Sequence, residues 1–161
     1  MNKQKEIFLD KDIIIRFARL KVFKEGMLSK QRELMQLIQE NKVKAFISNN
    51  TPFAVINHLK YKYVREHSKI NLIKREEELN KTAESKTKDW FETIFGKGEW
   101  ELINLEMIDY EKATKDEKLW WEDAVQYQCA CKMKNTNFIT ENLKDFKKTD
   151  LNVYSPRDIK M

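Results

Sequence analysis

Short apolar runs that stop abruptly on polar residues constrain this chain most. Ile7-Phe8-Leu9 closes on Asp10, Val43 to Ile47 closes on Ser48, and the stretch Asn137 to Thr140 is followed by Asn142. A run without polar alternation suits a strand covered on both faces, as in a parallel sheet. Between these runs the apolar period changes to that of helices. Ile13, Ile14, Phe17, Leu20 and Val22 line one face of a segment ending at Phe23, and Leu28, Leu34, Met35, Leu37 and Ile38 do the same after Gly26. Asn49-Asn50-Thr51-Pro52 reads as a helix start, with a capping side chain and Pro in the first turn, continuing through Phe53, Ile56, Leu59 and Tyr63.

Further along, Lys60 to Lys97 is rich in Lys, Glu, Asn and Thr, with spaced apolar residues including Ile70, Leu72, Ile73, Trp90 and Ile94, the pattern of solvent-facing helices. Gly96 and Gly98 punctuate it, and Trp100 to Leu105 is expected as a third strand. A charged segment, Asp109 to Lys118, leads to a helix over about Leu119–Met133. After the strand at 137–140 come a one-turn segment, Lys144 to Phe146, a last strand at Asn152 to Tyr154, and a capped turn, Ser155-Pro156-Arg157-Asp158. Strands alternating with helices predict an α/β fold with helices on both faces of a parallel sheet. With 161 residues, only 3 Gly and 2 Pro, and no internal repeat or low-complexity tract, one domain spanning 1–161 is expected.

Thirty-one Lys and Arg against 26 Asp and Glu, a net charge of +5, favour a polyanionic partner, with nucleic acid the first candidate. No apolar run reaches the roughly 20 residues of a membrane span, and the N-terminal MNKQKEIFLDKD lacks a signal-type apolar stretch, so no membrane association and a cytoplasmic location are expected. Cys129 and Cys131, two apart on a helix, do not face each other and are expected as reduced, buried thiols.

In an open parallel sheet, ligands bind beyond the carboxyl ends of the strands. Asp10 and Asp12 follow the first strand there, Ser48, Asn49 and Asn50 the second, and Thr140, Asn142 and Asp145 the fourth. Asp123 shares a helix face with Tyr127 and Ala130 and would point toward the sheet, where a lone carboxylate needs a partner or a metal. Carboxylates at one rim without His or Cys suit Mg²⁺ or Mn²⁺ better than zinc, and phosphodiester cleavage is their natural chemistry. Other polar and aromatic residues read as packing or solvent-facing positions. These are Glu122, the isolated His58 and His67, and the basic run Lys60, Lys62, Arg65, Lys69, Lys74, Arg75. Of Trp120 and Trp121, one is expected buried and one partly exposed.

IFLDKDIII, Ala45-Phe46-Ile47-Ser48 entering a helix, WWEDAVQYQCA, NFITENLKDF and VYSP together resemble the successive motifs of the PIN domain family, which includes VapC-like toxins, over nearly the whole chain. The resemblance implies a three-layer α/β/α fold with a central, mostly parallel sheet of about five strands. It also implies a Mg²⁺- or Mn²⁺-dependent endoribonuclease, of the kind found as toxins of toxin–antitoxin pairs, with RNA, an antitoxin protein and a homodimer as partners. Position by position, Asp10, Asp123 and Asp145 match the metal-binding aspartates, Asn142 the polar residue beside the last, and Thr140 the hydroxyl position. Their side chains are expected to converge. Where the family carries a glutamate after the second strand, this chain has Ala54 or Val55, depending on alignment, and neither can ligate a metal. Asp12 stands where asparagine is common. The alternative is a catalytically impaired PIN-like domain that binds RNA or a protein. A phosphoacceptor or nucleotide-binding domain is disfavoured, since no Gly-rich phosphate loop is present.

Overall fold

The computed structural model describes residues 5–68, 73–133 and 137–158, with the side chains of 73–75 left aside. Its elements run β1 (Lys5–Leu9), α1 (Lys11–Phe23), α2 (Ser29–Gln39), β2 (Val43–Ser48), α3 (Thr51–His67), α4 (Ile73–Phe95), β3 (Glu99–Ile103), α5 (Met107–Thr114), α6 (Trp121–Cys131), β4 (Asn137–Ile139), α7 (Leu143–Phe146) and β5 (Asn152–Tyr154). The five strands form one sheet in the order β3-β2-β1-β4-β5. Every pairing is parallel, with Phe8 opposite both Phe46 and Phe138. The fold is therefore the α/β arrangement that the sequence predicts.

Strand pleating explains why both faces of the central strands are apolar over Ile7–Leu9 and Ala45–Ile47. Ile7, Leu9, Ala45 and Ile47 pack with Ile13, Phe17, Leu34 and Val55 on the α1 to α4 side. Phe8, Phe46 and Phe138 point the other way, to Phe146, Val125 and Cys129 on the α6 and α7 side. Phe8 and Phe138 stack at 5.6 Å, and Phe138 meets Phe146 at 4.5 Å. Burying each of these rings stabilises the fold by roughly 2–3 kcal/mol. The turn into β3 requires glycine at one place, Gly98, whose φ is +100° and where a Cβ would lie 2.8 Å from the Ile38 carbonyl oxygen.

Five local expectations need correction. A helix, α5, occupies much of the charged segment, with Asp109 accepting from the Glu106 amide at 2.8 Å and pairing with Lys132 at 2.5 Å. Asn50 precedes α3 without a capping bond, because its carboxamide oxygen accepts from Ser48 Oγ at 2.6 Å. Both Trp120 and Trp121 are exposed, at 81% and 48%. Trp120 sits in extended backbone ahead of α6, and Leu119 fills the core in its stead. Cys129 is buried but Cys131 is exposed, the two diverging around α6. Helix α6 itself is shorter than Leu119–Met133 by two residues at each end. Ile70, Leu72 and Lys69, which the sequence reading includes, lie outside the described residues, as do the side chains of Ile73, Lys74 and Arg75. Among the described residues no helix is long and apolar enough to cross a membrane.

Candidate functional site

Asp10 is the first residue beyond β1, the central strand, and the first before α1. Its amide donates to the Ile139 carbonyl at 3.0 Å, which extends the β1–β4 ladder by one bond, and its carboxylate caps α1 by accepting from the Asp12 amide at 3.5 Å. The strand end buries it to 2% exposure. Its other oxygen, Oδ2, accepts from Thr140 Oγ1 at 2.6 Å. Thr140, the residue after β4, is fully buried, and its hydroxyl also accepts from the Asn142 amide at 2.9 Å. A buried carboxylate held only by neutral donors retains its proton more tightly. Burial, with the Asp12 and Asp123 charges adding to it and the Thr140 bond opposing it, pushes the Asp10 pKa up to about 7.

Asp123, in the first turn of α6, faces the end of β4 and is half-buried. Asn142 Nδ2 donates to its Oδ2 at 3.0 Å. Burial raises its pKa, the Asp12 and Asp145 charges add to the rise, and Lys11 opposes it. Asp145, on α7, titrates below its ordinary value, through hydrogen bonds from Asn142 and Lys148, the latter at 3.3 Å. The predicted residues therefore form a chain along the rim. Thr140 holds Asp10, Asn142 spans Asp123 and Asp145, and the β4–α7 link supplies both donors. Among the described residues no group of three His, Cys, Asp or Glu side chains is arranged to hold a metal ion.

A cleft of about 770 Å³ opens beside this rim. It is bordered by Lys11, Asp12, Arg16 and Arg19 of α1, by Ala54, His58 and Tyr61 of α3, and by Glu122, Glu141 and Asn142. Ala54 faces the cleft while Val55 is fully buried in the core, so Ala54 is the cleft position on α3 that lacks a carboxylate. Asp12 stands at the cleft, close enough to raise the pKa of both Asp10 and Asp123. Glu122 is bonded to Lys11 at the cleft edge. Glu141 accepts from Gln31 Nε2 at 2.5 Å. The helical wall was not singled out in the sequence, although the spacing of Asp12, Arg16 and Arg19 puts them on one face of α1. His67 is exposed, and its ring lies against that of Tyr63 at 4.1 Å.

No protein-family model and no curated protein match the chain. Solved structures do. A chain of a toxin-antitoxin complex from Klebsiella pneumoniae is 19% identical, with a TM-score of 0.54, and the match covers 95% of this chain and 99% of that one. A chain of VapBC2 from Rickettsia felis, bound to a DNA fragment from its promoter, is 18% identical with a TM-score of 0.51, covering 93% and 98%. A chain of FitAB bound to a DNA fragment is 15% identical with a TM-score of 0.51, covering 96% and 98%. At these identities the likeness shows the fold. The chain has the PIN-like architecture of chains found in toxin–antitoxin complexes.

Proposed function

We propose that this protein is a Mg²⁺- or Mn²⁺-dependent endoribonuclease of PIN type, acting in the cytoplasm as the toxin of a toxin–antitoxin pair, with an antitoxin protein and a second copy of itself as partners. The observation that carries this reading is Asp10. It is a buried carboxylate at the carboxyl end of the central strand, within electrostatic reach of Asp123 and without a cationic partner among the described residues. Its neighbours chemically fit a hard cation, since the donor set is all oxygen and no His or Cys lies among it. The complexes in which similar folds occur support the toxin assignment.

Asp10, Asp123 and Asp145 would hold the ion. A bound divalent cation supplies charge neutralisation for the phosphodiester and acidifies the attacking water. The chain's own contribution is orientation. Thr140 fixes one oxygen of Asp10, whose other oxygen accepts from the Asp12 amide, and Asn142 fixes one oxygen of Asp123. The cationic cleft wall offsets the phosphate charge of a polynucleotide.

Cleavage of single-stranded RNA that requires Mn²⁺ or Mg²⁺, stops in EDTA and falls at least about 100-fold in Asp10→Asn is the expected result. Activity unchanged by that substitution would sink the assignment. A second reading, a PIN-like domain that binds RNA or protein without cleaving it, is favoured by Ala54 and by the spread of the three aspartates along the rim. Calorimetry separates the two readings, because the binding module shows no Mn²⁺ heat that Asp10→Asn removes.

A further inference from the structure

The helical wall of the cleft holds three side chains that the rest of the protein leaves unused. On α1, Asp12, Arg16 and Arg19 follow the i, i+4, i+7 spacing of a single face, and on α3 Ala54, His58 and Tyr61 do the same. Both faces border the one cleft. A second hollow of about 310 Å³ shares Arg19, His58 and Tyr61 with it and continues toward Arg65. The cations nearby are mostly committed. Lys11 is bonded to Glu122, Arg19 pairs with Glu25 at 2.5 Å, and Lys62 pairs with Glu25 and Glu66, each at 2.5 Å. Arg16 has no ion-pair partner among the described residues, although Asp12 lies one turn away. The Nε2 atom of His58 is buried without a hydrogen-bond partner. Tyr61 leaves 67% of its surface exposed.

We propose that Arg16, His58 and Tyr61 form a nucleotide subsite beside the acidic rim, in which Arg16 and His58 hold a phosphate of single-stranded RNA and the Tyr61 ring stacks on an adjacent base. The assignment rests on the ribonuclease reading for its substrate class. A guanidinium presents a fork of donors that fits phosphate oxygens. Burial, with the Arg19 and Lys62 charges beside it, holds the His58 pKa below its ordinary value, so at neutral pH its imidazole is an uncharged hydrogen-bonding group. An exposed aromatic face next to a phosphate-binding cation is the combination that single-stranded nucleic acid uses, because every base has a π-face. One phosphate lies against the acidic rim, and its neighbour against Arg16.

Binding is measured in EDTA, by fluorescence anisotropy of a labelled single-stranded RNA of about ten nucleotides, so that no cleavage intervenes. Arg16→Gln is expected to weaken binding about tenfold and to lower the slope of log affinity against log salt by about 0.7. Tyr61→Ala is expected to weaken binding about tenfold while leaving the affinity for heparin, a polyanion without bases, unchanged, and Tyr61→Phe to behave as the native protein. Arg16 and Tyr61 are exposed, and melting curves confirm that their variants fold. The proposal is overturned if the native protein binds no single-stranded RNA, if both variants bind as tightly as the native chain, or if Tyr61→Ala loses RNA and heparin equally. Cleavage with Mn²⁺ is assayed in parallel. If the native protein binds RNA in this Arg16- and Tyr61-dependent way but does not cleave it, the ribonuclease reading falls and the subsite stands.

Discussion

Asp10 and Asp123 are held by Thr140 and Asn142, neutral donors, whereas Lys11 and Arg19, which line the cleft, and Lys62, in the adjoining hollow, each hold a glutamate. A neutral donor fixes a carboxylate's direction without cancelling its charge, so the rim keeps its negative potential. A surface ion pair does the reverse. It cancels charge at the edge and, being screened and mobile, contributes about 0–1 kcal/mol to stability. The two walls therefore differ in what a substitution removes.

The largest contrast is between adjacent residues of α3. Val55→Glu places an unpaired carboxylate in the core, and is expected to destabilise the protein by more than about 4 kcal/mol, read as loss of a cooperative melt. Ala54→Glu puts the same group on the cleft. The protein should fold, bind Mn²⁺ about tenfold more tightly by calorimetry, and cleave RNA faster. Equal behaviour of the two variants would break the distinction between the walls.

The next effect is on pH. With the folded-state pKa of Asp10 raised from 3.8 to about 7, the folded protein holds that proton more tightly than the unfolded chain does. Asp10 therefore contributes stability that is fully present below about pH 4 and is lost as pH rises through about 7, on the order of 4 kcal/mol in all. In EDTA the melting temperature of the native protein, compared with Asp10→Asn, should fall between about pH 5 and about pH 8, and Mn²⁺ should restore it at the higher pH. A native-minus-variant difference that stays flat with pH would show that Asp10 is ionised throughout.

Thr140→Val removes the hydroxyl and leaves Asp10 Oδ2 without its donor, costing about 1–3 kcal/mol of stability in a thermal melt and about tenfold or more in Mn²⁺ affinity. Smallest is Glu25→Gln, which frees Arg19 and removes one of the two glutamates paired with Lys62. It should change stability by less than about 1 kcal/mol while making RNA binding in EDTA tighter and steeper in salt.

The central strands were legible because Ile7–Leu9 and Ala45–Ile47 are apolar on both faces, and the rim because Asp10, Thr140 and Asn142 come soon after strands. What escaped depends on partners distant in sequence. Asp109 is buried at 4% exposure and looks like a solvated charge until Lys132 is brought beside it, so the helix around it read as a charged linker. Trp120 looked like half of a helix face, yet it precedes the helix, and Leu119 takes the buried place. His58 read as a packing or solvent-facing residue, and Arg16 and Tyr61 carried no signal of their own. Only the packing of α1 against α3 gives them a common cleft, and no local pattern records which helices will be neighbours.

β1 lies at the middle of the sheet yet is made first. Its partner Phe138 and the hydroxyl that holds Asp10 come 130 residues after their counterparts, Phe8 and Asp10. At about 5–20 residues per second, a ribosome works for roughly 7–26 seconds between the two. Until then the central strand has one edge open, and the acidic rim lacks Thr140, Asn142 and Asp145. The site is thus completed late in translation, so a nascent chain truncated before β4 carries none of the assembled chemistry. On the proposed function, the RNA-cleaving site would come together only once the chain had been made through Asp145.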